Sequence, residues 1–288
     1  MSDRFGGKPV LLTASGTGAD MWTGYPADVA HEVQDIWYFQ PINYGPNGIP
    51  AVFPMGSSTD SGVEEGVRLV LEEIPPGLPL GLCGYSQGGM VVSRLLDEFR
   101  SGRLKARQRD LVAGLTFGNP DRELGAHAGS RDPGGRGISN RRIKGTPSWW
   151  ADLAEPNDIY TNVPNNDVGE DMTAIFRLVQ LRGLDDLIGE DSLLQQALEL
   201  IMGGGMVIPT SPLDLVGLMT KLGVNGPLSG FPAAVMAAVK ALTFFGSKPA
   251  TAPHIEYHIR EIEPGVTYFD WGVAFLREQG RRAVARAA

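Results

Sequence analysis

Short apolar runs alternate with amphipathic stretches along the first half of the chain. Residues 8–14 (Lys-Pro-Val-Leu-Leu-Thr-Ala) read as a buried strand, 26–33 as a short helix with Pro26 in its first turn, and 35–40 as a second strand. Residues 41–55 carry four prolines and several Gly and Asn residues, the composition of a loop. Val63, Val67, Val70, Leu71 and Ile74 then fall on one face of a helix expected over 61–74, which Pro75-Pro76-Gly77 ends. A strand is expected at 78–83, a helix at 90–99, a strand at 110–120, and a further strand at 149–154 beyond a glycine- and arginine-rich loop over 125–147. Strands alternating with helices predict an α/β fold, a central parallel sheet flanked by helices.

From about residue 167 the period changes. Helical patterns occupy 172–184, 192–202, 213–222 and 233–245, with Gly203-Gly204-Gly205 and Asn225-Gly226-Pro227 as breaks. The expected organisation is a core in two parts, 1–166 and 251–288, around an all-helical insertion over 167–250. The insertion is too long for a structureless loop and is suited to a lid, a substrate platform or a plain structural subdomain. A last helix is expected over 270–279, capped by Asp270, with a fraying basic tail after it.

Composition narrows the function classes. The chain has 288 residues and a net charge of -8, so it lacks the basic footprint of a nucleic-acid binder. Its one cysteine, Cys83, rules out an intrachain disulfide and Cys-x-x-Cys zinc sites. No cofactor or metal is expected. No signal-peptide pattern opens the chain, and no run of about 18 apolar residues would span a membrane. Synthesis in the cytoplasm is the expectation, with later release if the protein acts outside it.

The chemistry centres on Gly84-Tyr85-Ser86-Gln87-Gly88. Gly-x-Ser-x-Gly between a strand and a helix is the pattern of a nucleophile elbow, a strained turn that presents the serine at the sheet edge beside a helix N-terminus. Ser86 then needs a base, and the base needs an acid. Only four histidines are present: His31, His127, His254 and His258. In elbow hydrolases the order is serine, acid, histidine, which favours His254 on its Pro253 corner, with His258 in reserve on an expected strand over 256–262. Asp158, in the turn Pro156-Asn157-Asp158, is the favoured acid. Asp152, inside the preceding strand, is the competitor, with Asp167 and Asp171 behind. The oxyanion hole would take the Gln87 amide and a donor from Ser15-Gly16-Thr17, Thr17 being able to add its hydroxyl.

Gly84-Tyr85-Ser86-Gln87-Gly88, Asn157-Asp158-Ile159-Tyr160 and Pro253-His254-Ile255-Glu256-Tyr257 resemble the cutinase-like α/β-hydrolase superfamily. Gly16-Thr17-Gly18, Pro26-Ala27-Asp28, Gln40-Pro41-Ile42, Ala51-Val52-Phe53-Pro54-Met55, Gly118-Asn119-Pro120, Gly125-Ala126-His127 and Ala241-Leu242-Thr243-Phe244-Phe245 are similar, in the same order, to the mycobacteriophage lysin B family. That resemblance implies an α/β-hydrolase fold and a triad of Ser86, Asp158 and His254. It implies esterase action on mycolic acid esters of arabinogalactan and related lipids at the host envelope during lysis. A cutinase-like ester hydrolase of other specificity is the alternative, and an inactive wall-binding hydrolase fold a third. Ser15 departs from the family, standing where related chains often carry histidine before Gly-Thr-Gly. No N-terminal peptidoglycan-binding module is visible.

Overall fold

The computed structural model describes residues 4–51, 55–181 and 251–287. Among these, the strands are β1 (Val10–Ala14), β2 (Tyr38–Pro41), β3 (Leu80–Tyr85), β4 (Leu111–Phe117), β5 (Trp150–Leu153), β6 (Glu261–Glu263) and β7 (Val266–Thr267). The helices are α1 (Tyr25–Glu32), α2 (Met55–Arg68), α3 (Gln87–Ser101), α4 (Asp167–Leu181), α5 (Ala252–Ile255) and α6 (Tyr268–Ala287). Strands β1 to β5 form one parallel sheet in the order β2-β1-β3-β4-β5. The order reverses between β1 and β3, so their carboxyl ends flank the crevice where ligands of open α/β sheets bind.

Both faces of the sheet are covered, which is why its strands read as continuous apolar runs. Val10, Leu12, Leu80 and Leu82 point to one face and pack with Val63, Val67 and Val70 of the α2 segment and Val91, Val92 and Leu95 of α3. Leu11, Cys83, Leu115 and Phe117 point to the other, against Val29 and Ala30 of α1 and Leu276 of α6. Burial pushes the Cys83 thiol pKa well up, so this side chain serves as a small core hydrophobe.

Several element boundaries differ from expectation. The second strand starts at Tyr38, because Trp37 N–H bonds back to Val33 O and closes a turn first. Helix α2 starts at Met55, inside the expected loop. Its first turns are Gly-Ser-Ser-Thr-Asp, weak helix formers in isolation, but small residues suit the contact with α3. A β-carbon on Gly62 would press on Val91 at 2.8 Å, and one on Gly66 on Leu95 at 2.6 Å. The same segment ends in a π-turn, Leu69–Glu73, closed by Ile74 N–H to Leu69 O.

The closing helix is longer than expected at both ends. Thr267, not Asp270, caps it: Asp270 N–H donates to Thr267 Oγ1 (3.0 Å) and the Thr267 hydroxyl donates to Asp270 Oδ2 (2.8 Å). The basic tail continues the helix because it docks: Trp37 Nε1–H bonds Leu276 O at 2.8 Å, Arg277 pairs with Asp35, and Ala283 is buried. Residues 256–260 form turns rather than the expected strand, and only Glu261–Glu263 pairs, with Val266–Thr267. Helix α4 opens where the helical period was expected to begin. The helices expected at 192–202, 213–222 and 233–245 lie outside the described residues.

Two measurements test this packing. Leu82 is fully buried, so Leu82→Ala should lower unfolding free energy by about 2–5 kcal/mol, read as a lower urea midpoint at unchanged m-value. Asp121, in the loop after β4, has its pKa pushed up to about 7, mainly by burial, against the opposing pull of Ser139, Arg94 and Arg141. The folded state therefore holds this proton more tightly than the unfolded chain. Its contribution to stability is full below the ordinary aspartate pKa and is lost as pH rises through about 7. Asp121→Asn should flatten that decline in unfolding free energy measured from pH 4 to 8.

Candidate active site

Ser86 joins β3 to α3 with φ 54° and ψ -119°, a backbone region that L-residues rarely occupy. The neighbours hold it there. Ser86 N–H bonds Phe117 O at 3.0 Å, and Met90 N–H reaches Ser86 O at 3.3 Å to begin the helix. A β-carbon on Gly84 would overlap the Gly88 carbonyl, and one on Gly88 the Ala14 carbonyl. The glycines thus let helix, turn and strand approach until the hydroxyl stands at the sheet's carboxyl edge, over the positive end of a 15-residue helix.

His254 lies on the short helix α5 rather than on a loop. Thr251 precedes it in the left-handed region (φ 59°), and Pro253 fits the first turn. His254 Nε2 is 2.9 Å from Ser86 Oγ, and its Nδ1 is 2.7 Å from Asp158 Oδ2. A carboxylate accepts, so Nδ1 carries the proton and Nε2 faces the serine hydroxyl as an acceptor. Two aromatic rings lie against the imidazole. Tyr85 stacks on it at 5.0 Å, with its hydroxyl donating to His254 O at 2.9 Å, and Tyr160 lies tilted at 4.5 Å. Gly118 (φ 55°) lies against the His–Asp pair, where a β-carbon would come within 2.7 Å of the imidazole.

Asp158 is fully buried. Tyr160 N–H donates to its Oδ1 (3.0 Å) and the Tyr257 hydroxyl to its Oδ2 (2.7 Å). Its loop is pinned by Arg122, whose buried guanidinium donates to Thr161 O, Ala126 O and Gly134 O. Burial lowers the Arg122 pKa, and the partner carbonyls replace the water it has lost.

The competing residues are elsewhere. Asp152 points to the α3 face, taking hydrogen bonds from the Thr116 hydroxyl and from Asn119 Nδ2 (3.0 Å), and burial raises its pKa. Asp167 is exposed at the start of α4, and Asp171 is buried within that helix. His258 meets the Tyr25 hydroxyl at 2.8 Å, His127 faces Ala128 O, and His31 meets the edge of Phe39. On the oxyanion side, Thr17 Oγ1 donates to Gln87 Oε1 at 3.0 Å, and Gln87 Nε2 reaches Met55 O at 3.2 Å. Ser15 turns its hydroxyl to Thr23 O. Tyr85, Tyr160, Tyr257 and Arg122 were not singled out in the sequence. Tyr257 and Tyr160 lie inside the motif stretches quoted above, but no local pattern says where their side chains end.

Comparison with known proteins supplies the lineage. Endolysin B of Mycobacterium phage D29 is 32% identical over 212 residues, which span 67% of this chain and 81% of that protein. The chain belongs to the endolysin B family. Endolysin B of Mycobacterium phage L5 is 33% identical over 214 residues with the same coverage. The crystal structure of lysin B from mycobacteriophage D29 superposes with a TM-score of 0.59 and 28% identity, covering 94% of this chain and 99% of that one. No protein-family model matches the chain.

A hydroxyl, an imidazole and a buried carboxylate in line are equipped for acyl transfer. Asp158→Asn should cut kcat on a p-nitrophenyl ester by about 10⁴-fold, because an amide can stabilise the wrong imidazole tautomer. Asp152→Asn, which can still accept from Thr116 and Asn119, should leave kcat unchanged in the same assay.

Proposed function

We propose that this endolysin B family member is a serine esterase. Its reaction is cleavage of the ester joining mycolic acids to arabinogalactan in the mycobacterial wall during phage-induced lysis. The observation that carries the reading is the unbroken line from Ser86 Oγ through His254 to Asp158 at the sheet's carboxyl edge.

His254 Nε2 takes the Ser86 proton as Oγ attacks the ester carbonyl. Asp158 keeps Nδ1 protonated and balances the imidazolium that forms. The developing oxyanion is met by the Gln87 amide at the first turn of α3, whose N–H has no intrahelical acceptor, and by Thr17. Loss of one such donor costs about 3 kcal/mol of transition-state stabilisation. His254 then gives the proton to the sugar oxygen as its bond to the acyl carbon breaks, and the sugar leaves as an alcohol. Water, activated by the same ring, hydrolyses the acyl group from Ser86 and frees the fatty acid.

The relatives' origin in mycobacterial phages supports a wall lipid as substrate. Among the described residues no helix is long and apolar enough to cross a membrane. In this reading the protein acts at the host envelope after its release from the cytoplasm.

Isolated mycobacterial walls treated with the wild type should release free mycolic acids, identified by mass spectrometry, while Ser86→Ala releases none and keeps the wild-type melting temperature. Hydrolysis of a p-nitrophenyl ester without release from walls would redirect the reading to another lipid ester.

A further inference from the structure

We infer that Tyr257 is a positioning residue of this site, holding the Asp158 carboxylate in line and setting the proton affinity of the Asp158–His254 pair. The inference rests on the triad reading above and adds a fourth side chain to it.

Asp158 Oδ2 takes two hydrogen bonds, one from His254 Nδ1 and one from the Tyr257 hydroxyl, each 2.7 Å long. A carboxylate cannot donate, so the phenol does. The phenol oxygen lies 3.5 Å from the Glu155 N–H, a second contact that orients it. Tyr257 is fully buried and its ring is boxed edge-on by Phe117, Tyr268 and Tyr25. Its own carbonyl accepts from Phe269 N–H at 3.0 Å. The hydroxyl is therefore aimed by packing rather than by chance of rotamer. Burial and the nearby carboxylate also push the Tyr257 pKa well up, which keeps the donor proton in place across the working pH range.

This geometry has a chemical consequence. Asp158 stabilises imidazolium through the oxygen that Tyr257 shares. A neutral donor on that oxygen takes part of the carboxylate's charge and fixes the direction in which it meets the imidazole. It also replaces the solvent that the buried carboxylate has lost. The other ionisable groups facing the pair are Tyr85 from β3, Arg122 from the loop after β4, Tyr160 and Glu155 from the loop after β5, and Tyr268 from α6.

The test is the pH profile of kcat/KM for Tyr257→Phe in the full chain, on a p-nitrophenyl ester. Removing the donor raises the proton affinity of the coupled pair, so the acid limb should move up by about half a pH unit or more. kcat should fall by about tenfold as the carboxylate loses its fixed orientation. An unshifted acid limb would overturn the inference, whether or not activity drops, because a purely structural tyrosine lowers activity without moving that limb. If Tyr257→Phe does not fold, 3-fluorotyrosine at the same position is the second variant. Its phenol is a stronger donor, so the limb should move down, and an unmoved limb again overturns the inference. Ser86→Ala, run alongside, separates the two levels: residual wild-type activity there would sink the triad itself, independently of Tyr257.

Discussion

The α-carbon of Gly88 sits so close to the carbonyl oxygens of Ala14 and Ser15 that no side chain fits between them. This contact between the first turn of α3 and the end of β1 governs the rest of the site. It draws the helix N-terminus down onto the sheet edge and forces the preceding residue into a left-handed turn. Ser86 accepts that strain because its amide is bonded to β4 and its carbonyl to the next helical turn. The hydroxyl is then carried between β3 and α3, while Asp158 arrives on a loop and His254 on the short helix α5.

The Asp158 loop and its neighbours are held by buried polar groups as well as by the apolar contacts of Ile138, Ile159 and Val163. Arg122 ties three loop carbonyls together, and Asp158 takes donors on both of its oxygens. Each group would be destabilising alone in such surroundings, and each is matched by partners. A second buried polar network, built from Asp152, Thr116, Asn119 and Ser93, lies on the opposite side of the same strands, with Asp152 Oδ2 left without a hydrogen bond among the described residues. The two networks have similar chemistry, yet only one faces the serine. Aromatic rings from β3 and from the Asp158 loop lie against the imidazole, so the proton-carrying group is oriented by ring contacts as well as at its nitrogens.

Much of this was legible in the chain. Apolar runs between helical patterns announced a parallel sheet covered on both faces, and Gly84, Ser86 and Gly88 announced the elbow, because sterics at a tight turn act on adjacent residues. With four histidines available, chain order left His254 and His258, and the proline before His254 tipped the preference to it. Other features were misread for identifiable reasons. The start of α2 looked like a loop because its small polar residues are weak helix formers alone, but they allow α3 to approach. The basic tail looked frayed because its partners, Trp37 and Asp35, are far away in sequence.

What the sequence by itself determined is local: which segments are short apolar runs and which carry a helical period, where a turn demands glycine, and which residue types are present to act as nucleophile, base and acid. What only the tertiary structure decided is convergence. Ser86 and His254 are 168 positions apart, and His254 and Asp158 are 96 apart. Whether Asp158 or Asp152 meets the imidazole depends on which face of the sheet each carboxylate leaves from and where the next loop turns. The short helix under His254 and the tyrosine behind Asp158 belong to the same category. A periodic pattern reports the face a residue occupies, but its partner there is set by elements folded in from the other end of the chain.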